Sequence, residues 1–301
     1  MVVTTAGNPA FRKNNTPLKI AIASGKGGTG KTIISTNLAY YLSKLGKTVQ
    51  YLDCDVEEPN GHLFFHTDII NREDVTLAIP VVDPEKCDLC GACGSFCAFG
   101  AIALAGEQVL TFSQLCHSCG GCSLVCPQHA ISETARSLGQ TINASIKENP
   151  LLELRYGILN IGESMAVPVI KQVKHISSAA DYMVIDCPPG TSCPVIESVT
   201  DADFVLLVTE PTPFGLNDLK LAVDMLGKLD LPFGIAINQI GLGDDRVQAY
   251  CRTENLSIVL EIPYSRKIAG FYSKGQLFLP ELPEFNNLFE NLIHLIEAVA
   301  A

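Results

Sequence analysis

Short runs of apolar residues, several of them ending on a polar or acidic residue, recur along the chain. They occupy 18–23, 49–55, 151–160, 182–186, 204–209, 233–238 and 258–264. Runs that are apolar without alternation are typical of strands buried on both faces of a parallel sheet. Stretches with helical character lie between or after them, at 33–42, about 168–180, about 216–229 and about 283–298. This alternation predicts an α/β fold built on a mostly parallel sheet.

A glycine-rich loop, Ser24–Thr32, joins the first predicted strand to the first predicted helix. Bare N–H groups in such a loop, together with a helix N-terminus, attract the phosphates of a nucleotide. The loop fits the P-loop pattern G-x-x-x-x-G-K-[ST], so we expect Lys31 to reach the β- and γ-phosphates and the Thr32 hydroxyl to bind Mg²⁺. The predicted phosphate-binding residues are Gly25, Gly27, Gly28, Thr29, Gly30, Lys31 and Thr32.

Two further predicted strands end in acids. The second strand ends at Asp53 and Asp55, and a later one ends at Asp186, four residues before Gly190. The carboxyl ends of parallel strands are where α/β sheets bind ligands. A buried strand ending in an acid is the Walker B arrangement, and the following glycine can offer its N–H to the γ-phosphate. We therefore place these residues around the nucleotide.

Eight of the 12 cysteines form two runs with identical spacing, C-x-x-C-x-x-C-x-x-x-C. This spacing is the signature of a bacterial two-cluster ferredoxin, in which the fourth cysteine of each run serves the other cluster. We predict that one [4Fe–4S] cluster is bound by Cys87, Cys90, Cys93 and Cys126, and the second by Cys116, Cys119, Cys122 and Cys97. A pair of structural zinc sites is the alternative, although zinc sites usually use two separated C-x-x-C pairs.

The cysteine runs interrupt the nucleotide-binding pattern, which resumes after them. We therefore divide the chain into a flexible N-terminal extension at 1–17, a P-loop ATPase domain at 18–81 and 134–301, and an inserted ferredoxin-like domain at 82–133. So small a domain depends on its metal for folding.

Composition narrows the function classes. The net charge is −11 over 301 residues, which disfavours binding to nucleic acid or to anionic lipid. No apolar stretch approaches the roughly 18 residues of a membrane span, and the first seventeen residues lack the apolar core of a signal peptide. The last predicted helix carries acids and no lysine or arginine, so we expect packing rather than a membrane anchor. Cysteines without a secretory signal indicate metal binding in a reducing cytoplasm.

Two motifs carry a family resemblance. Lys26 gives the loop the form K-G-G-x-G-K-T, and Asp186–Thr191 reads D-x-P-P-G-T. From residue 18 onward the chain resembles the MinD/ParA/Mrp/nitrogenase-iron-protein ATPases, which have a deviant Walker A loop, here with an inserted ferredoxin domain. The resemblance implies that Lys26 crosses a dimer interface to the nucleotide of the other subunit. It also implies that Asp55, in switch I, positions water near the γ-phosphate.

Further roles follow from the same resemblance. Asp186 would belong to the Mg²⁺ shell, Gly190 would sense the γ-phosphate, Asn238 would recognise the adenine and Pro263 would pack beside the base. The residues expected to act in catalysis are Lys26, Lys31, Asp55 and Asp186. The implied cofactors are ATP or ADP, Mg²⁺ and two [4Fe–4S] clusters, and the implied partners are a second ATPase subunit, identical or paralogous, and an acceptor protein.

Three functions are compatible with these features. The first is a slow, partner-stimulated ATPase whose dimeric nucleotide switch gates electron transfer from the clusters to a partner. The second is a scaffold or carrier in metal-cluster assembly. The third is a positioning ATPase like MinD or ParA with purely structural clusters. Of the remaining cysteines, Cys54 and Cys251 are expected to be buried, whereas Cys187 and Cys193 flank switch II and leave open a cluster shared between subunits.

Overall fold

The computed structural model describes residues 16–175 and 180–300. The strands are β1 Leu18–Ala23, β2 Val49–Asp53, β3 Thr67–Val82, β4 Ile102–Ala105, β5 Gln108–Thr111, β6 Ile131–Ile146, β7 Leu152–Leu159, β8 Tyr182–Asp186, β9 Phe204–Thr209, β10 Phe233–Ile240 and β11 Ile258–Pro263. The helices are α1 Lys31–Lys44, α2 Ala92–Phe96, α3 Gly121–Leu124, α4 Ala166–Lys174, α5 Cys193–Val199, α6 Pro213–Leu229, α7 Arg246–Thr253, α8 Arg266–Tyr272 and α9 Asn286–Ala300. Short 3₁₀ turns occur at Gly61–Phe64, Ser113–Leu115 and Pro283–Phe285.

Within the described residues, nine strands form one sheet in the order β11-β10-β9-β1-β8-β2-β7-β6-β3. The pairs from β11 to β7 are parallel, and only β7–β6 and β6–β3 are antiparallel. The predicted α/β fold with a mostly parallel sheet is confirmed.

Each face of the sheet packs on its own apolar cluster. Alternate residues of β1 point to opposite sides, so Ile20 and Ile22 join one cluster whereas Ala21 and Ala23 join the other. The first cluster includes residues of α1 and α9, and the second includes residues of α4 to α7. Burial on both faces explains why these strands are apolar without alternation.

All seven predicted strands are present, as β1, β2 and β7 to β11. The predicted helix at about 216–229 begins earlier, at Pro213, because the Thr212 hydroxyl caps it by accepting a hydrogen bond from the Gly215 N–H at 3.0 Å. The helix predicted to begin at Pro168 begins at Ala166, with the proline in the first turn, where a missing N–H costs little. It ends at Lys174, and part of its predicted C-terminal end, 176–179, lies outside the described residues, as does 1–15 of the predicted N-terminal extension.

Neither β3 nor β6, the longest strands of the sheet, is among the predicted strands, although the C-terminal part of β3 contains an apolar run at 77–82. Each spans 16 residues, and β3 forms an edge with most of its side chains exposed or half-buried. Val82 pairs with Ile131, so the chain leaves the sheet and returns to it at one point. The intervening residues 83–130, which we call the cysteine segment, therefore sit at the far end of a two-stranded stalk. The predicted boundary of a separate ferredoxin-like domain at 82–133 stays a prediction.

The internal repeat seen in the cysteine spacing extends to the backbone. Residues with positive φ recur 29 positions apart, as Leu89 and Ser118, Gly91 and Gly120, and Gly100 and His129. Gly91 and Gly120 immediately precede α2 and α3, at φ of 74° and 69°. The two halves of the cysteine segment therefore fold in the same way locally.

No helix in the described ranges is long and apolar enough to cross a membrane.

Candidate functional site

A cleft of about 460 Å³ opens at the carboxyl ends of the central strands. Many of the predicted nucleotide-binding residues line it: Gly27, Gly28, Gly30, Lys31, Thr32, Asp55, Asn238 and Pro263. The other predicted residues are not part of its lining: Gly25, Lys26, Thr29, Asp186 and Gly190. The tertiary structure thus gathers residues from widely separated parts of the chain around the glycine-rich loop.

The loop is held in shape by Asn238, at the end of β10. The Asn238 side-chain amide donates a hydrogen bond to the Thr29 carbonyl oxygen at 2.9 Å. Gly30 has a φ of 95°, and a Cβ atom added to it would lie 2.3 Å from that same amide nitrogen. A glycine is therefore required at position 30 for both conformation and space. Asn238 lines the cleft, where the resemblance places the base, and it also supports the loop.

Asp53 organises the loop that follows β2, which the resemblance assigns to switch I. It is fully buried, and its carboxylate accepts hydrogen bonds from the N–H groups of Asn60 at 3.0 Å, Gly61 at 2.8 Å and Asp55 at 3.1 Å. Burial raises the pKa of Asp53 well above its usual value, and the nearby Asp186 adds to this effect. The acid therefore sets the path of the loop that carries Asp55.

Asp186 lies beneath the P-loop with one oxygen satisfied and one free. Tyr51 donates its hydroxyl hydrogen to Asp186 Oδ2 at 2.9 Å, whereas the buried Oδ1 has no hydrogen-bond partner among the described residues. Burial raises the pKa of Asp186, whereas the Lys31 ammonium and the Thr32 hydroxyl lower it. A buried, unpaired carboxylate oxygen beside a hydroxyl suits the oxygen-rich shell of Mg²⁺. These residues therefore fit the predicted Mg²⁺-nucleotide.

Asp55, in the loop that follows β2, lines the cleft. Burial raises its pKa to about 6, although the Lys31 ammonium opposes the shift. Gly190, at φ 99°, donates its N–H to the Ser24 carbonyl oxygen at 2.9 Å. The N–H predicted to sense the γ-phosphate is thus hydrogen-bonded to the first residue of the glycine-rich loop in this conformation.

Four predicted ligands of the second cluster line one cavity of about 200 Å³ in the cysteine segment: Cys97, Cys116, Cys119 and Cys122. For the first cluster, Cys87 and Cys126 lie close enough to Cys93 to influence its pKa, which burial raises. Within 16–175 and 180–300, no three histidine, cysteine, aspartate or glutamate side chains converge closely enough to hold a metal ion as they stand.

Backbone N–H groups point at several of these sulfurs. Ala101 donates to Cys97 Sγ at 3.3 Å, and Ala130, 29 positions later, donates to Cys126 Sγ at 3.3 Å. Burial raises the pKa of Cys97, but hydrogen bonds from the surrounding backbone outweigh it and the net shift is downward. Such donors stabilise a thiolate, the form that binds iron or zinc. The donor set therefore fits the predicted clusters, with zinc as the chemical alternative.

The other four cysteines separate into two groups. Cys54, Cys187 and Cys251 are fully buried, as expected for the first and last of them. Burial raises the pKa of Cys251 to about 11 and raises that of Cys187 further. Cys193 is exposed at the start of α5. Cys187 and Cys193 are therefore not presented together on one surface.

Sequence reasoning missed two polar residues that shape the site. Tyr51 precedes Asp53 by two positions on β2, so strand periodicity alone places its side chain on the same face. Glu210, at the end of β9, accepts a hydrogen bond from the Lys26 ammonium. Glu210 directly follows a strand, and this position could have marked it as a site residue. Nothing in the sequence, however, indicates that it pairs with Lys26.

The parallel sheet, the P-loop between β1 and α1 and the acid at the end of β8 define a P-loop nucleotide-binding protein. The profile of the CobQ/CobB/MinD/ParA nucleotide binding domain family matches residues 20–278, and the chain belongs to that family.

Relatives share much of the chain. The uncharacterized protein MJ0578 of Methanocaldococcus jannaschii is 34% identical over 235 residues, which is 75% of this chain and 80% of that one. An iron-sulfur cluster carrier protein of the same organism is 26% identical, over 85% of this chain and 66% of its own length. The cell division ATPase MinD of Pyrococcus furiosus has a similar fold, with a TM-score of 0.57 and 20% identity over 94% of this chain and 99% of that one.

Proposed function

We propose that this protein binds and hydrolyses ATP, and that a dimeric nucleotide switch gates electron transfer from two [4Fe–4S] clusters to a partner protein. The observation that carries the proposal is the position of the two sites. Strand β2 ends in the switch I acids, and it is separated from the stalk strand β6 only by β7. A change at the nucleotide thus has a short route to the cysteine segment.

In the nucleotide site, Lys31 and the loop N–H groups bind the phosphates, and Thr32 and Asp186 provide oxygens for Mg²⁺. The ion supplies charge neutralisation on the phosphates when bound. Asp55, which lines the same cleft, would orient the attacking water. Because such catalysis is chiefly positioning and charge stabilisation, slow turnover stimulated by a partner is expected.

Switch I is tied to the sheet in two places. Asp53 binds the backbone at Asn60 and Gly61, and the next residue, His62, stacks on Tyr156 with ring centroids 4.9 Å apart. Tyr156 lies on β7 opposite Ile142 of β6. A γ-phosphate that orders switch I would therefore shift β7 and, through it, the stalk. This gives the nucleotide state a mechanical route to the cluster environment or to its exposure.

The proposal is tested on protein purified without oxygen from the reducing cytoplasm, where we expect it to reside. About eight iron atoms per chain are expected, since each of two clusters contains four. Electron paramagnetic resonance of the reduced protein should change when Mg-ATP is added, and the Lys31→Ala variant should retain its iron but lose the change. The proposal would be refuted if the protein contained zinc in place of iron. It would also be refuted if neither the spectra nor the reoxidation rates changed when Mg-ATP was added.

A second candidate function is an ATP-dependent carrier or scaffold in cluster assembly. It is favoured by the similarity to proteins named as iron-sulfur cluster carriers in Methanocaldococcus and Pyrococcus. Transfer of labelled iron from the loaded protein to an acceptor apo-protein, accelerated by Mg-ATP, would support this function. Clusters that stay bound through many redox cycles would favour electron transfer instead.

A further inference from the structure

Lys26, the loop lysine expected to act across a dimer interface, is held inside its own subunit. Its ammonium donates a hydrogen bond to Glu210 Oε1, and the two side chains are only 29% and 18% exposed. Charges shielded from water attract each other more strongly than an ordinary surface ion pair. Lys26 is also not among the residues that line the nucleotide cleft. The lysine therefore has a defined resting position away from the phosphates.

Glu210 is itself held in place by the start of α6. The Thr212 hydroxyl donates to Glu210 Oε1 at 3.0 Å and accepts the N–H of Gly215 at 3.0 Å. A Cβ atom added to Gly215 would lie 2.4 Å from the Glu210 carbonyl oxygen, so the two backbones are in close contact. The carboxylate that binds Lys26 is thus part of the capping structure of the helix.

The backbone around Lys26, the other member of the ion pair, is also held in place. A Cβ atom added to Gly25 would lie 2.2 Å from the backbone oxygen of Asp218, so the P-loop packs directly on α6. The Ser24 hydroxyl donates to the Lys26 carbonyl oxygen at 2.6 Å. Both partners of the ion pair therefore sit on backbone that cannot easily move apart. Breaking the pair requires the Lys26 side chain to swing away.

We infer that Glu210 is a positioning residue that holds Lys26 in the monomer, and that a second copy of this chain must break this pair before Lys26 can reach the opposite nucleotide. The inference rests on the proposed dimeric switch. A symmetric dimer contains two equivalent Lys26–Glu210 ion pairs. Both must break when the dimer forms, so the free energy of dimerisation includes the cost of breaking the pair twice. Glu210 thereby sets how much ATP-bound protein is needed before dimers appear, and it suppresses premature hydrolysis.

The test is the Glu210→Gln variant, which keeps the shape of the side chain and removes its charge. Each pair accounts for a few-fold change in equilibrium, so the dissociation constant of the dimer should fall about tenfold. It is measured by analytical ultracentrifugation with Mg²⁺ and a non-hydrolysable ATP analogue. Asp224→Asn is the matched control, because Asp224 pairs with Lys228 on the exposed face of the same helix and should have no effect. Glu210→Ala is a second variant with the same expected direction.

Two Lys26 variants separate failure of this inference from failure of the proposed function. Lys26→Ala should lose analogue-dependent dimers, and the Lys26→Ala/Glu210→Gln double variant should behave like Lys26→Ala alone. If Lys26→Ala dimerises as well as the wild type, the dimeric switch through this lysine is wrong. If Lys26→Ala is impaired but both Glu210 variants dimerise equally or less tightly than the wild type, only the holding role of Glu210 is overturned.

Discussion

The nucleotide cleft and the cysteine segment differ in what keeps them folded. Ile20 and Ile22 of β1 are fully buried, and the cleft stands on a sheet covered on both faces. In the cysteine segment only four apolar residues are buried, Ala101, Ile102, Cys116 and Ala130, and seven large ones are exposed: Phe96, Phe99, Leu104, Leu110, Phe112, Leu115 and Leu124. A core built from side chains supports the first site, whereas the second site would obtain much of its stability from the proposed clusters.

This contrast also explains the chemistry of each site. In the cleft, buried polar groups such as Asp53 are satisfied by backbone N–H groups, so the site is shaped before any ligand arrives. In the cysteine segment, the sulfurs of Cys97 and Cys126 receive N–H donors, yet the thiols do not converge. The first site is preorganised, whereas the second would be completed by the proposed clusters.

If the proposed clusters are present, the largest expected effect is on the cysteine segment when one of them is removed. A Cys119→Ser variant should lose iron, and amide protection across 83–130 should fall at least about tenfold because little apolar area is buried there. Protection in β1 and β8 should be unchanged. Hydrogen exchange followed by mass spectrometry measures both regions in one sample. Cys193→Ser, an exposed cysteine outside the two runs, is the control, and equal loss of protection in β1 would contradict the comparison.

A smaller effect, confined to the cleft, is expected from Gly30→Ala. The loop holds position 30 at a left-handed φ that alanine disfavours, and the added methyl group collides with the Asn238 amide. The affinity for Mg-ATP should therefore fall about tenfold or more. Titration calorimetry measures the affinity, and iron content should remain at the wild-type level. Gly227→Ala, in open space on α6, should bind ATP normally and gain up to about 1 kcal/mol of stability. Normal affinity in Gly30→Ala would show that the loop is not preorganised.

The smallest effect concerns pH. The pKa of Asp55 is raised to about 6 in the folded, nucleotide-free protein, so the folded state binds a proton more tightly than the unfolded state does. The contribution of Asp55 to stability is therefore most favourable below its unfolded pKa and is lost as pH rises to about 6. Asp55→Asn should flatten that part of the profile, measured by thermal unfolding between about pH 4 and pH 8. If the profile of the variant matched that of the wild type, Asp55 would be more exposed to solvent than the cleft geometry implies, and its pKa would not be raised by burial.

The sequence by itself determined the parts whose signal is local. Continuous apolar runs identified seven strands of the sheet, because burial on both faces leaves no polar alternation. The spacing of glycines and of cysteines identified the P-loop and the eight candidate ligands, because both chemistries depend on short-range backbone geometry. The 29-residue repeat likewise recurs in the positive-φ positions, from Leu89 and Ser118 onward.

Tertiary structure decided what depends on distant neighbours. The stalk strands β3 and β6 were not predicted. Strand β6 has no continuous apolar run, and the run in β3, at 77–82, follows a polar first half on a largely exposed edge. The contact between Lys26 and Glu210 joins residues 184 positions apart, and Asn238 supports Thr29 from 209 positions away. Such pairings arise only when the order of strands in the sheet is set, because sheet order brings together strand ends that the sequence keeps apart.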